Sequence, residues 1–273
     1  MTTHPFDLLM ELETADIRLD CAALHLARDV YPHVPAATYL ARLDEIADDV
    51  ANTRPGLSAS LRYQAMRDVL VHNHGLTGNQ GDFYDPDNSY LNRVIDRGLG
   101  VPVTLSAVWV EVARRLKWPV SGVGLPGHSV IRFDDERQFI LVDPFNDGRT
   151  ITFDDCQRIL DHHFDGKISF SPEFLQPVNA RHMLARLLGG LRDIYIANHD
   201  WEHLTNVLRR LTALEPDNVG YIHELAALHY RQGDVRNAYA HLSRYLKKRP
   251  HAGDQFLTRR KMAHLEALIA SLN

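Results

Sequence analysis

The chain has 273 residues, 45% of them hydrophobic, enough for one large domain or two ordinary ones with a sizeable core. A formal net charge of -5 and the lack of any dense Lys/Arg block argue against a nucleic-acid groove; the local clusters Arg209-Arg210, Lys247-Lys248-Arg249 and Arg259-Arg260-Lys261 read as solvated helix faces. Cys21 and Cys156 give no disulfide framework, the acidic start MTTHPFDLLMELE is unlike a signal peptide, and no stretch approaches a membrane span, so the sequence reads as that of a soluble cytoplasmic protein.

Residues 1–75 read as helical. Leu8, Leu9, Leu12 and Ile17 open an apolar pattern, and Ala22-Ala23, Leu26-Ala27 and Val30 continue it at helical spacing. After Pro32 and Pro35 a helix is expected from about Ala36 to Val50. Pro55-Gly56 interrupts, and a third helix runs from about Ser58 to His72. The segment GLTGNQGDFYDPD is a loop by its Gly, Asp and Asn content, leading into a short helix over about Asn88 to Arg97 with Asp87 or Asn88 as N-cap.

The clearest amphipathic helix covers residues 101–117. Leu105, Val108, Trp109, Val112, Ala113 and Leu116 form one continuous apolar stripe, and Pro102 suits the first turn. Two β-rich runs follow, HSVIRF and FILVD, separated by the polar DDER, which is a hairpin signal. Beyond Pro172 and Pro177 the chain reads as helices to its end. The expected domains are therefore 1–177 and 178–273.

Repeats organise the second domain. Pro216 and Pro250 each end a helical stretch and lie 34 residues apart, the period of the tetratricopeptide repeat. In the unit ending at Pro250, Ala226 and Ala238 sit at the close helix approach, Gly233 in the turn, and Leu225, Leu242 and Tyr245 at large apolar positions. In the unit ending at Pro216, Tyr195, Leu204, Leu208 and Leu211 match, but His199 replaces the turn glycine. Residues 254–272 read as a closing helix with Met262, Leu265, Leu268, Ile269 and Leu272 on one side. Such a module offers a concave groove to a protein or peptide partner.

If the hairpin is centred between Asp135 and Glu136, paired residue numbers sum to 271, and His128 falls opposite Asp143. Directly opposed residues have Cβ atoms about 5 Å apart on one face, so an imidazole and a carboxylate are predicted to meet. A slip of one residue would separate them. Such a pair is either a satisfied cross-strand contact or a base with its orienting acid.

The run Gly100-Val101-Pro102, the helix, Lys117-Trp118-Pro119, His128 and Asp143 resembles the transglutaminase-like fold, with papain-like cysteine chemistry. The strings YDPDNSYLNRVIDRGLGVPVTLSAVWVEVARRL, GVGLPGHSVIRF and LVDPFNDG resemble the SirB family, which joins such a domain to tetratricopeptide repeats. The resemblance implies an α+β first domain, with helices and a small antiparallel sheet, before an all-α module. In catalytic members a Cys opens the helix, and His and Asp come from adjacent strands. Here the Cys position aligns with Pro102. Cys21 lies in an apolar helical run and Cys156 lies beyond Asp143, so neither replaces it. Thiol transglutaminase or protease activity is therefore not expected.

The remaining hydroxyls on that helix are Thr104, turned well around it from Pro102, and Ser106, on the Pro102 stripe one turn deeper, about 6 Å along the axis. Asp85, Asn88, Tyr90 and Asn92 form a polar cluster in the family-like motif and are expected to line the His128 cleft with Pro102 and Thr104. His162-His163 with Asp161 and Asp165 matches no standard metal-ligand spacing, and no cofactor is expected. Two readings result. One is a binding or regulatory protein with a degenerate site. The other is a hydrolase or acyl-transfer enzyme using His128, Asp143 and either Ser106 or water.

Overall fold

The structure, a computed structural model, describes residues 4–136, 138–249 and 255–271. The chain forms two compact units, Met1–Gly190 and Leu191–Asn273. The division comes later than the boundary expected after residue 177. The reason lies in Met183, whose sulfur would stand 2.8 Å from a Cβ on Gly122, and Arg186, which bonds the loop before His128. The helix carrying both is tied to the first unit.

The first unit begins with four helices, α1 (Pro5–Leu9), α2 (Leu19–Ala27), α3 (Ala36–Asn52) and α4 (Ala59–Arg67), the last continuing into a π-helical turn over Asp68–Asn73. In α1 the inward side chain is Phe6, with Met10 beside it, whereas Leu8 and Leu12 are exposed, contrary to the expected stripe. Strand β1 (Thr77–Gly78) pairs in parallel with β2 (Leu99–Gly100), which follows α5 (Leu91–Arg97). The expected cap of α5 differs too. Asp85 caps a 3-10 turn at Pro86–Ser89 by accepting from the Asp87 amide, and Tyr90 occupies the α5 N-cap.

Helix α6 (Pro102–Arg115) is the amphipathic helix expected, with Pro102 in its first turn and Leu105, Val108, Trp109, Val112 and Ala113 inaccessible to solvent. Strands β3 (Val120–Val123), β4 (Val130–Asp134), β5 (Phe139–Asp143), β6 (Arg149–Ile151) and β7 (Pro177–Val178) form an antiparallel sheet of order β6-β5-β4-β3-β7. Its alternation serves two cores, as a period of two requires. Ile131, Phe133 and Val142 pack with α6, and Val130 and Leu141 pack with Cys156 and Leu160 of α7 (Phe153–Phe164).

The hairpin pairs Phe133 with Ile140 and Ile131 with Val142, so paired numbers sum to 273 and not to the expected 271. The cause is Asp135. Its amide bonds the Gln138 carbonyl at 2.9 Å and its carboxylate accepts from the Gln138 amide at 3.0 Å, which sets the turn one residue later in the chain without lengthening it. Arg137, within that turn, lies outside the described residues.

The unit boundary falls within α8 (Ala180–Ala197). The second unit continues with α9 (Trp201–Leu214), α10 (Val219–Arg231), α11 (Val235–Lys248) and α12 (Gln255–Ser271). A period of 34 is written in its hydrogen bonds. Asp200 caps α9 by accepting from the His203 amide, and Asp234 caps α11 by accepting from the Asn237 amide. The residues before them, His199 and Gly233, are both left-handed, at φ 56° and 78°. Pro250 and Leu272 lie outside the described residues. Ala226 and Ala238 are buried where α10 meets α11, as the repeat pattern required.

A Cβ on Gly233 would meet nothing within 4 Å, so the turn tests backbone conformation alone. Gly233→Ala should lower the stability of the repeat unit by about 1–2 kcal/mol in chemical denaturation, the cost of a left-handed non-glycine residue. An unchanged midpoint would mean that the turn does not depend on its handedness.

Candidate functional site

His128 lies just before β4 and Asp143 ends β5. In the observed register they are diagonal neighbours, because a two-residue change of register keeps both on one face. His128 Nε2 donates to Asp143 Oδ1 at 2.9 Å. Asp143 has no solvent exposure and also accepts from the Phe145 amide on Oδ1 at 3.1 Å and from Asn146 Nδ2 on Oδ2 at 2.7 Å. Burial alone would push its carboxyl up. The His128 bond and charge, with the Asn146 and Phe145 donors, outweigh that and hold it below the usual carboxylate range. In the neutral imidazole, with Nε2–H donated to Asp143, the ring lone pair lies on Nδ1.

The loop before His128 is held from behind. Arg186 of α8 donates to the carbonyls of His128 at 2.7 Å and Leu125 at 3.0 Å, and to Ser129 Oγ at 3.2 Å. Gly127 is left-handed, at φ 75°, and a Cβ there would come within 2.7 Å of the His163 ring. Glycine is therefore required twice over, by conformation and by space.

A cleft of about 690 Å³ opens beside His128. Pro102 lines it from the first turn of α6, Phe83 and Tyr84 from the loop after β1, and Phe145 and Asn146 from the loop after β5. Arg149 comes from β6, and Asp155, Arg158, Ile159, His162 and His163 come from α7. The α7 residues were not anticipated as cleft residues. Their spacing is the signal that was available, since positions 155, 158, 159, 162 and 163 share one helical face.

Several residues expected at the cleft have other positions. Ser106 and Thr104 are inaccessible in the core, and neither hydroxyl has a hydrogen-bond partner among the described residues. Nearly every side of α6 is covered, so only its first residue reaches the cleft. Ser106 makes no bond to His128 and is not placed to act as its nucleophile. Asn88, fully buried, donates to the Asp82 carbonyl at 2.7 Å and accepts from Asn79 at 3.0 Å, while its carbonyl takes the Val101 amide at 3.1 Å. Asp85 pairs with Arg97 at 2.7 Å, Tyr90 packs edge-on to Tyr31 at 5.7 Å, and Asn92 is buried. None of these four lines the cleft.

The two thiols lie elsewhere. Cys156 is buried under the sheet, and burial, then the charges of Asp155 and Asp143, pushes its thiol up to about 11. Cys21 is raised by burial and by Asp20. Neither has the lowered pKa of a reactive thiolate. Among the described residues no cluster of His, Cys, Asp and Glu could hold a metal ion, and no helix is long and apolar enough to cross a membrane.

Because the Asp143 carboxyl is depressed, its contribution to stability is complete above the unfolded carboxylate range and is lost as pH falls through its folded value. Asp143→Asn should cost about 2 kcal/mol at pH 7 in chemical denaturation, the worth of hydrogen bonds to a charged group. The gap between variant and wild type should close below about pH 4. A gap independent of pH would show that shape, not charge, is what Asp143 supplies.

Residues 37–189 match the transglutaminase-like superfamily, and residues 191–264 match the tetratricopeptide repeat. A UPF0162 protein of Xylella fastidiosa (strain 9a5c) is 29% identical over 246 residues, covering 89% of this chain and 88% of that one. A UPF0162 protein of Pseudomonas aeruginosa is 29% identical over 218 residues, 80% and 79% of the two chains. F-box only protein 21 of Homo sapiens is 26% identical over 180 residues, 62% of this chain and 28% of that one. With a match that spans more than half its length and encloses α6, His128 and Asp143, the chain belongs to the transglutaminase-like superfamily.

Proposed function

We propose that this is a protein-binding or regulatory protein of the SirB family whose transglutaminase-like cleft has lost thiol chemistry. The observation that carries the reading is Pro102. It stands in the first turn of α6, lining the cleft that His128 lines, while both cysteines of the chain lie away from that cleft. Tetratricopeptide repeats generally mediate protein interactions. The repeat unit has a largely apolar groove of about 670 Å³, lined by Ala226, Tyr230 and Leu242 together with Arg260, Lys261 and His264. The partner would be a protein or peptide seated there, with the cleft of the first unit as a second binding surface.

The test restores the thiol. In Pro102→Cys the introduced sulfur would sit at a helix N-terminus beside His128, where a thiol is acidified. Iodoacetamide should alkylate it at about pH 6 at least about tenfold faster than the two native cysteines, and His128→Asn in the same background should remove the advantage. Alkylation no faster than that of Cys21 would mean that Pro102 does not hold the nucleophile's place.

A second reading is favoured by the His128–Asp143 contact at 2.9 Å. In it, His128 takes a proton from water as the water oxygen attacks an ester carbonyl carbon, and the tetrahedral intermediate then breaks its bond to the alkoxide, which leaves as the alcohol with the proton returned from His128. Turnover of an activated ester by the wild type that His128→Asn abolishes would support it. Wild-type turnover equal to that of the variant would remove it.

A further inference from the structure

The cleft's charges do not balance. Its lining includes Arg149 and Arg158 against the single carboxylate of Asp155, with the imidazoles of His128, His162 and His163 beside them. That carboxylate is already committed. It accepts from the Thr152 amide at 2.8 Å, from Thr152 Oγ1 at 2.7 Å and from Arg158 at 2.5 Å. Together these hold its carboxyl down at about 2. The nearest other carboxylate, Asp143, has spent both oxygens on His128, Phe145 and Asn146.

Arg149 makes no ion pair among the described residues. The rings of His162 and His163 lie 5.3 Å apart, and protonation of His163 is opposed by burial and then by His128 and His162. A concave surface with an uncompensated guanidinium and imidazole N–H donors concentrates its field on an anion that enters.

The rest of the lining is aromatic. Phe83 meets Phe145 edge-on at 5.7 Å and Tyr84 at 5.4 Å, and Tyr84 is 71% exposed. A small inorganic oxyanion would answer the charge and leave these rings bare. A peptide answers both needs.

We propose that the cleft binds an acidic peptide segment, setting a Glu or Asp carboxylate against Arg149 and the His162–His163 pair and a neighbouring apolar side chain against Phe83 and Tyr84. The inference rests on the reading of this cleft as a binding surface and gives that surface its ligand class.

The experiment is a histidine-resolved NMR titration of the full chain with the N-acetylated peptide Gly-Phe-Glu-Glu-Phe-Gly and with its Gln-for-Glu counterpart. The acidic peptide should shift His162 and His163. The Gln peptide should bind at least about tenfold more weakly, the loss expected for one charge-assisted contact. Arg149→Ser, at an exposed position whose side chain makes no ion pair among the described residues, should weaken the acidic peptide by a similar factor. Equal affinity for the two peptides would overturn the proposal. So would shifts confined to His223 and His264 in the repeat groove, or sodium phosphate matching the peptide's affinity at His162 and His163. Alkylation of Pro102→Cys involves no peptide, so a fast thiol with no peptide shift defeats this inference alone. A slow thiol with a bound peptide defeats only the assignment of Pro102.

Discussion

The first unit is organised around a carboxylate that water cannot reach. Moving such a charge out of solvent costs several kcal/mol unless donors replace the lost hydration. Asp143 obtains three donors from a short stretch of structure, and each one fixes something. His128 fixes the end of the loop before β4, while the Phe145 amide and Asn146 fix the turn after β5. The Phe145 carbonyl then accepts from the Gly78 amide at 3.1 Å, which ties in the loop carrying Phe83 and Tyr84. Arg186 is the counterpart on the other side of the His128 loop. It is a guanidinium lowered by burial that is spent on backbone carbonyls. The cleft's shape follows from satisfying the buried Asp143 carboxylate and the half-buried Arg186 guanidinium.

Much of this was legible in the sequence, and the reasons differ by element. The α6 stripe was readable because burial along one helix repeats with a fixed period, and Leu105, Val108, Trp109, Val112 and Ala113 all obey it. The repeats were readable because Pro216 and Pro250 end helical stretches 34 residues apart, and the capping aspartates and left-handed turns recur at that spacing too, even where His199 stands for glycine. The meeting of His128 with Asp143 was reached through a register that the structure does not have. Parity saved it, since a strand's faces depend only on odd or even displacement. What sequence could not supply was the position of the turn. That position depends on where the Asp135 side chain finds its donors, and one of them, the Ala59 amide at 3.1 Å, is remote in sequence.

The polar motif before α6 misled for a related reason. Asn and Asp in a loop serve equally well as ligand contacts and as substitutes for backbone partners. Asn88 takes the second role. It bridges the loop that carries Phe83 to the residue that precedes α6, so its contribution to the cleft passes through the backbone. The α7 residues were missed because their face is polar and turned toward a surface that exists only once the sheet has formed. A helical face with no apolar period gives no folding signal.

The His128–Asp143 pair invites a catalytic reading, and the same numbers explain it without catalysis. Proline in the first turn of α6 costs the helix nothing, since that amide has no intrahelical partner and the ring's φ is already helical. On the proposed reading, a nucleophile lost there would leave the fold intact. Removing His128 would lower stability, because Asp143 would keep its burial and lose its largest compensating donor. A His–Asp pair can therefore be required by folding in a protein that performs no proton transfer. It follows that the weight of any functional argument rests on cleft groups with no folding duty. Arg149, with no ion pair among the described residues, and Tyr84, open to solvent, are groups of that kind. Their chemistry, a free cation and an uncovered aromatic ring, describes a surface that holds a ligand more readily than one that transforms it.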